Sequence, residues 1–248
     1  AGVRAPMVAS KRGNARGAKG RRKAETQRPW RAKVNPRQCR SRLRKRERPG
    51  GDTGSNARYG RSVCSTPSKE GREELRQGAY RPYPVKRVWI DKPGSRDKRP
   101  LGVPAVRDRV VQAAVRLVIE PIFEHEFAEH SYGFRPGRGC KDALRRVAHL
   151  LAQGQVWVVD ADIKGYFDNI PHDRLMDEVR TRIADGRLQT LIEAFLKQGV
   201  MEDVKFWSVE KGTPQGAVIS PLLANLYLHP VDKAMAATGY DMVRYADD

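Results

Sequence analysis

The sequence predicts an α+β domain preceded by a basic, disordered N-terminal arm. Within residues 71–248 the predicted strands and helices are mixed, without the strict alternation of a doubly wound sheet. The charge is also unevenly distributed. Residues 1–50 contain 18 Lys and Arg and only two acidic residues, whereas residues 76–248 contain 26 and 23. The first stretch therefore supplies most of the net charge of +19, and the second has the charge balance of an ordinary globular domain.

Residues 1–70 form the predicted arm. They have no periodic apolar face, and the stretch RPGGDTGSNARYG is rich in turn-forming residues. A segment of this composition buries too little apolar surface to fold by itself. Its Lys and Arg side chains would bind a polyanion by releasing counterions from phosphates, so disorder and RNA binding are compatible in this arm.

Several classes of protein are disfavoured by composition. Cys39, Cys64 and Cys140 are odd in number and far apart, and the five histidines show no ligand spacing, so neither a disulfide framework nor a zinc site is indicated. A reducing location is the default expectation, either a bacterial cytoplasm or an organelle. No apolar run approaches the roughly 20 residues that cross a bilayer, so no membrane partner is expected.

The first half of the domain predicts an extended pair followed by two helices. Order is expected to begin near Glu70. YPVKRVWIDKPGSRDKRPLGVP predicts two short extended segments around a turn at Pro93–Gly94. RDRVVQAAVRLVIEPIF predicts a helix whose C-terminal extension is limited by Pro121, and KDALRRVAHLLAQG predicts a helix that stops at Gly154.

The second half begins with QVWVVDADI, whose Val and Trp content predicts a buried strand. Helices are predicted at 173–181 and 188–198, and VKFWSVEKGTPQG is typical of a hairpin strand that enters a turn. SPLLANLYLHPVDKAM predicts a helix with Ser220 as its N-cap and Pro221 at its first position. YDMVRYADD predicts a last strand that ends in a turn.

Carboxylates follow both of the predicted apolar strands in this half. Asp160 and Asp162 share one face of the first strand, because side chains alternate along a strand. Asp247 and Asp248 end the second strand. Two strands that deliver carboxylates to one point make a hard-oxygen site suited to Mg²⁺. Two such ions about 4 Å apart serve phosphoryl transfer. Taken alone, however, an Asp-Asp pair at a strand end is more typical of a solvated turn.

Five motifs together resemble those of reverse transcriptases, most of all the enzymes encoded by group II introns. DADIKGYFDNIPH, GTPQGAVISPLLANLYLH and RYADD resemble the palm motifs in order and spacing, and KRPLGVPAVRDRVVQAAVRLVIEPIFE and HSYGFRPGRG resemble the finger motifs. The resemblance covers Arg72 to Asp248. It implies a right-hand polymerase with fingers over residues 71–155 and part of the palm over 156–248, lacking the strand after YADD, the thumb and later domains.

The resemblance also implies roles for the acidic residues. Asp162 and Asp247 would be the principal ligands of two catalytic Mg²⁺ ions, which Mn²⁺ could replace, and Asp248 would complete the cluster. Asp160 and Asp168 would be structural residues or would support the ligands.

Further residues would contact the nucleotide or the template. Phe167 would exclude a 2′-hydroxyl, unless it is a core phenylalanine. Gln215 would lie against the nucleotide or template, with Gly212 and Gly216 allowing close backbone approach. Ala217 stands where the family has a second glycine.

Four basic residues have two interpretations each. Lys98 and Arg99 would lie near the triphosphate, or they form a solvated basic loop. Arg135 and Arg138 would hold the template backbone, or they cap local structure.

The expected function is RNA-directed DNA polymerisation, in which the 3′-hydroxyl of a DNA primer on an RNA template attacks a dNTP. A maturase role on the intron RNA is expected beside it. The alternatives are a non-catalytic RNA-binding maturase, a degenerate gene fragment and a retron-type reverse transcriptase. Residues 1–70 do not resemble the family's N-terminal extension and read like translated intron RNA. The 248-residue chain is expected to have little polymerase activity alone.

Overall fold

A computed structural model describes residues 69–91, 96 and 98–248. Most of the predicted arm, the predicted turn at Pro93–Gly94, and Cys39 and Cys64 lie outside the described residues. The first described helix begins at Lys69, next to the residue where order is predicted to begin.

The elements follow one another in the mixed order that the sequence predicts. They are α1 (Lys69–Gln77), β1 (Val85–Asp91), β2 (Lys98–Val103), α2 (Val106–Glu124), α3 (Cys140–Ala152), α4 (Tyr166–Asn169), α5 (His172–Arg182), α6 (Gly186–Leu196), β3 (Val200–Glu202), β4 (Lys205–Trp207) and α7 (Ser220–Thr238).

The strands form one four-stranded mixed sheet in the order β2-β1-β3-β4. β1 pairs antiparallel with β2, from Lys86 opposite Val103 to Asp91 opposite Lys98. β1 and β3 are parallel, and β3 forms an antiparallel hairpin with β4. The predicted extended pair and hairpin are confirmed, and the α+β class is confirmed with them.

The core is built mainly by four helices, α2, α5, α6 and α7. Their apolar residues recur at helical spacing, which turns one face of each helix inward. The central side chains, all with 2% exposure or less, are Ile119, Phe123, Leu175, Met176, Ile192, Phe195 and Leu223. The helices predicted from periodicity are therefore confirmed. Pro121 lies in the last turn of α2, three residues before the helix ends.

Two predicted strands are wrong. Residues 155–163 form no strand, and Val156, Trp157, Val158 and Val159 are 68–94% exposed. Residues 242–245 contribute only an isolated parallel bridge between Arg244 and Ser131. A strand needs a neighbour to satisfy its backbone N–H and C=O groups. Within the part of the chain that the structure describes, neither segment has a neighbouring strand in the sheet.

The start of α7 also differs from the prediction. Ile219 is the N-cap, no side chain caps the helix, and Ser220 is its first residue. Ser220 as the N-cap is therefore wrong, while Pro221 lies in the first turn as predicted, where its missing N–H has no helical partner to lose. No helix among the described residues is both long and apolar enough to cross a lipid bilayer.

Candidate active site

The last four residues form a tight turn. The Tyr245 amide donates to the Asp248 carbonyl at 2.8 Å, and the Asp248 amide donates back to the Tyr245 carbonyl at 3.2 Å. Ala246, between them, has a φ of 64°, in the left-handed region that residues with a Cβ seldom adopt. The surroundings must therefore stabilise this turn.

Arg244 provides much of that stabilisation. It is buried, and it makes a two-pronged contact of 2.8 and 2.7 Å with the buried carboxylate of Asp232 on α7. It also donates to the carbonyl of Ala246 at 2.6 Å. The sequence reasoning missed this pair. The available signal is the i, i+7 spacing of Asn225 and Asp232, two polar residues on one face of a helix that is mostly apolar.

The turn brings the predicted carboxylates into mutual range. The pKa of the Asp248 carboxyl is raised, first by partial desolvation and then by the charges of Asp247, Asp162 and Asp160. Like charges nearby disfavour the ionised form of a carboxyl group, so the neighbouring negative charges raise this pKa. Asp162 and Asp248 are both exposed to solvent.

The donor set fits a hard divalent cation in its chemistry. Asp162, Asp247 and Asp248 offer carboxylate oxygens, the ligands that Mg²⁺ prefers, and a cation would relieve their repulsion. Within the described residues, however, no three His, Cys, Asp or Glu side chains are arranged so that they could hold a metal ion. Asp162 lies on the exposed segment 155–163, which no strand ladder holds in place.

Phe167 lies on α4, five residues after Asp162. It is half-buried, packs against the core, and contacts the rings of Tyr166 and Phe134 edge-on at centroid distances of 5.5 and 6.0 Å. The packing is that of a core-edge phenylalanine. Its backbone carbonyl accepts a hydrogen bond of 2.7 Å from Thr213, which ties α4 to the loop containing Gln215.

Gly212 and Gly216, which flank Gln215, both approach other backbone segments of the protein closely. A Cβ on Gly212 would lie 2.8 Å from the carbonyl oxygen of Asp168, and one on Gly216 would lie 3.0 Å from that of Gly102. The Gln215 side chain donates to Asp168 at 3.4 Å. Ala217 is buried and does not have a positive φ, so its methyl group is accommodated.

An open groove separates the sheet from this loop. Its lining includes Arg87, Pro100, Gly102 and Trp207 of the sheet, together with Asp168 and Gln215. Lys98 and Arg99 are exposed at the start of β2, next to β1. Their exposure is compatible with either of the two predicted roles.

Arg135 and Arg138 bind within their own segment. Arg135 is buried, pairs with Glu124 at 2.8 Å, and donates to the carbonyls of Ala128 and Ser131. Arg138 donates to the carbonyl of Glu129 and lies over the Tyr132 ring. These contacts support the interpretation that the two arginines stabilise local structure, because all three side-chain nitrogens of Arg135 donate within this segment and Arg138 also donates to a carbonyl there.

Comparison with known proteins identifies the family. A sequence model of the reverse transcriptase (RNA-dependent DNA polymerase) family matches residues 90–248. The chain belongs to the reverse transcriptase family. The matched range contains the carboxylates, Phe167, Gln215 and most of the residues that line the groove.

Two curated relatives and one solved structure illustrate the similarity. The group II intron-encoded protein LtrA of Lactococcus lactis subsp. cremoris is 44% identical over 161 residues, which are 65% of this chain and 27% of that protein. Protein YkfC of Escherichia coli (strain K12) is 44% identical over 166 residues, 65% of this chain and 43% of YkfC. The chain thus spans less than half the length of either relative.

The structural similarity agrees with the sequence similarity. A chain of a partial Cas6-RT-Cas1–Cas2 complex superposes with a TM-score of 0.50 at 25% identity, over 86% of this chain and 36% of that chain. This similarity confirms the predicted reverse transcriptase fold of fingers and palm.

Proposed function

We propose that the protein is an RNA-directed DNA polymerase that transfers a nucleotide from a dNTP to the 3′-hydroxyl of a DNA primer on an RNA template. The observation that carries the proposal is the match of residues 90–248, which include Asp162, Asp247 and Asp248, to the reverse transcriptase family. In-line displacement at phosphorus depends on positioning and on charge stabilisation rather than on a covalent protein intermediate.

The three carboxylates would hold Mg²⁺ as two ions, with Mn²⁺ as a substitute. Bound there, the cations would stabilise the attacking and leaving oxygens. Phe167 would place its ring beneath the sugar and exclude a 2′-hydroxyl. Gln215, fixed by its contact with Asp168, would face the nucleotide or template from the opposite wall of the groove. Lys98 and Arg99 would make charge-assisted contacts with the triphosphate.

We further propose that the template source is a group II intron and that the protein assists its splicing as a maturase. The similarity to LtrA, named a group II intron-encoded protein, supports this assignment. The 18 basic residues within residues 1–50 support RNA as the partner. The second candidate function is an RNA-binding maturase without catalysis, which the same basic segment favours.

Substitution of Asp247 separates the two candidates. In the full-length gene product, Asp247→Ala should abolish primer extension on an RNA template, while binding of intron RNA stays within twofold of the wild type, because the change removes a catalytic carboxylate and no basic residue. The matched control is Asp177→Ala, which removes an exposed carboxylate on α5 and should leave both properties unchanged. Primer extension that survives in Asp247→Ala would contradict the proposed catalytic role.

A further inference from the structure

The guanidinium group of Arg244 has a complete set of partners. An arginine side chain has five N–H donors. Here they reach five acceptor positions: both carboxylate oxygens of Asp232, the side-chain oxygens of Asn225 and Ser131, and the carbonyl of Ala246, at 2.6–3.0 Å. The side chains of Arg244 and Asp232 are 7% and 1% exposed. No donor remains for a ligand, so any functional effect of Arg244 must act through these partners.

One of those partners belongs to the tight turn formed by residues 245–248. Ala246, whose φ is 64°, lies in the sequence between Arg244 and the two aspartates, and its carbonyl accepts a hydrogen bond from Arg244. A left-handed alanine is strained and persists only where its surroundings impose it. The hydrogen bond from Arg244 opposes relaxation of that residue, and relaxation would swing the carboxylates that follow it.

Gly133 also packs directly against Ala246. A Cβ on Gly133 would lie 2.2 Å from the Ala246 amide nitrogen, so the two backbones are in direct contact. The Asn225 side chain joins both sides, because its oxygen accepts from Arg244 and its nitrogen donates to the Gly133 carbonyl at 2.7 Å. Ala246 is therefore enclosed between the Arg244 network and Gly133.

We infer that Arg244, with Asp232 and Gly133, is a positioning device that fixes the Ala246 backbone and thereby orients the carboxylates of Asp247 and Asp248. This inference rests on the proposed catalytic function, because it assigns the residues that orient the proposed cation ligands. Residues that orient ligands in this way typically alter metal affinity by about 10–100-fold when they are replaced.

The test uses the full-length gene product and Mn²⁺ as the probe. Mn²⁺ binding is measured by electron paramagnetic resonance, and the site is defined as the binding that Asp247→Ala removes. Arg244→Lys keeps the charge opposite Asp232 but cannot reach five acceptors, so it should weaken this binding by about tenfold or more. Arg116→Lys is the matched control, since Arg116 pairs with Glu120 on α2, and it should leave Mn²⁺ affinity within twofold.

A second variant tests the device without changing any charge. Gly133→Ala forces the Ala246 backbone to move and should weaken Mn²⁺ binding as Arg244→Lys does. Its control is Gly186→Ala at the start of α6, where an added Cβ meets no atom within 4 Å. Thermal unfolding of every variant identifies those that fail to fold. If Arg244→Lys does not fold, the Mn²⁺ affinity of Gly133→Ala decides the test.

The outcomes separate this inference from the proposed function. Asp247-dependent Mn²⁺ binding in the wild type that is unchanged in folded Arg244→Lys or Gly133→Ala overturns the positioning role and leaves the proposed site intact. Absence of any Asp247-dependent Mn²⁺ binding in the wild type overturns both. Weakened binding in both variants, with both controls unchanged, supports the inference.

Discussion

Gly212 and Gly154 have nearly the same φ angle but different surroundings. Their φ angles are +89° and +90°. A Cβ on Gly212 would lie 2.8 Å from the Asp168 carbonyl oxygen, whereas one on Gly154 would meet nothing within 4 Å. Alanine substitution at the two positions therefore separates the cost of a left-handed alanine from the cost of a steric clash with a neighbouring backbone.

Both glycine-to-alanine variants should lose stability, and Gly212→Ala should lose more. Gly154→Ala should cost about 1–2 kcal/mol because of its positive φ alone. Gly212→Ala should cost about 1–3 kcal/mol more, because the Asp168 backbone must shift to admit the methyl group. Urea unfolding of the two variants measures the difference. Equal losses would show that the approach of the loop to Asp168 is looser than described.

His229 should make the stability of the fold dependent on pH. It is buried on α7 with its ring edge-on to Phe127 at 5.6 Å, and neither ring nitrogen has a hydrogen-bond partner. Desolvation, followed by the charge of Lys233, lowers the pKa of His229, although Asp232 and Glu126 oppose the shift.

The sign follows from proton counting. Between the lowered pKa and the unfolded value of about 6.5, the unfolded chain binds more protons, so stability falls as the pH falls through that range. His229→Leu should therefore reduce the loss of melting temperature between about pH 7.5 and pH 5.5. The exposed His125 provides the control, since His125→Gln should leave that loss unchanged. An identical pH profile in His229→Leu would refute the assignment.

At the scale of elements, residues 155–163 are the clearest departure from expectation. The sequence pattern predicts a buried strand, yet Val159 is 93% exposed, while Val179 on α5 is 0% exposed. When a hydroxyl replaces a methyl group on an exposed side chain, water satisfies its hydrogen bonds. On a buried side chain, a hydroxyl without a good partner lowers the free energy of unfolding by about 1–3 kcal/mol.

Val159→Thr should therefore change the free energy of unfolding by less than about 0.5 kcal/mol. Val179→Thr should lower it by about 1–3 kcal/mol for the same chemical change. Chemical denaturation of both variants checks the prediction. A large loss in Val159→Thr would mean that this segment is buried in solution.

The elements also explain what the sequence could and could not predict. A helix satisfies its backbone internally, so the helical spacing of Val110, Val111, Ala114, Leu117 and Val118 is sufficient to predict α2. A strand depends on a neighbour that the local pattern does not specify, and the predictions for 155–163 and 242–245 were wrong for that reason. The carboxylates were predictable from their order, whereas Arg244 was missed because an arginine in an apolar segment does not reveal its five partners.

At the scale of the whole molecule, the uneven charge should control RNA binding. Residues 1–50 hold 18 of the 48 Lys and Arg residues but only two acids. Each phosphate neutralised on single-stranded RNA contributes about −0.7 to the slope of log affinity against log salt.

Deletion of residues 1–50 should therefore weaken RNA binding and make it markedly less dependent on salt. Filter binding at several salt concentrations measures the slope. The comparison is the double variant Lys98→Ala and Arg99→Ala, which removes two exposed charges and should flatten the slope by at most about 1.4. A deletion variant with the slope of the intact chain would show that this segment makes no phosphate contacts.

The 248-residue chain by itself should give no processive DNA synthesis. Asp162 lies on an exposed segment, and no three carboxylates among the described residues are arranged around a cation. Primer extension on an RNA template with Mg²⁺ tests this expectation, with the full-length gene product as the positive control. Processive synthesis by the 248-residue chain would contradict it.

The shared core has a consequence for recombination between related genes. α2 belongs to the predicted fingers region and α5, α6 and α7 to the predicted palm, yet their side chains form one apolar cluster. The parallel bridge between Ser131 and Arg244 also joins the two regions. An exchange of sequence at residue 155 would thus replace one part of a jointly packed interior and leave the rest unchanged. Chimaeric reverse transcriptases joined at that point should fold poorly unless the facing core residues are exchanged together.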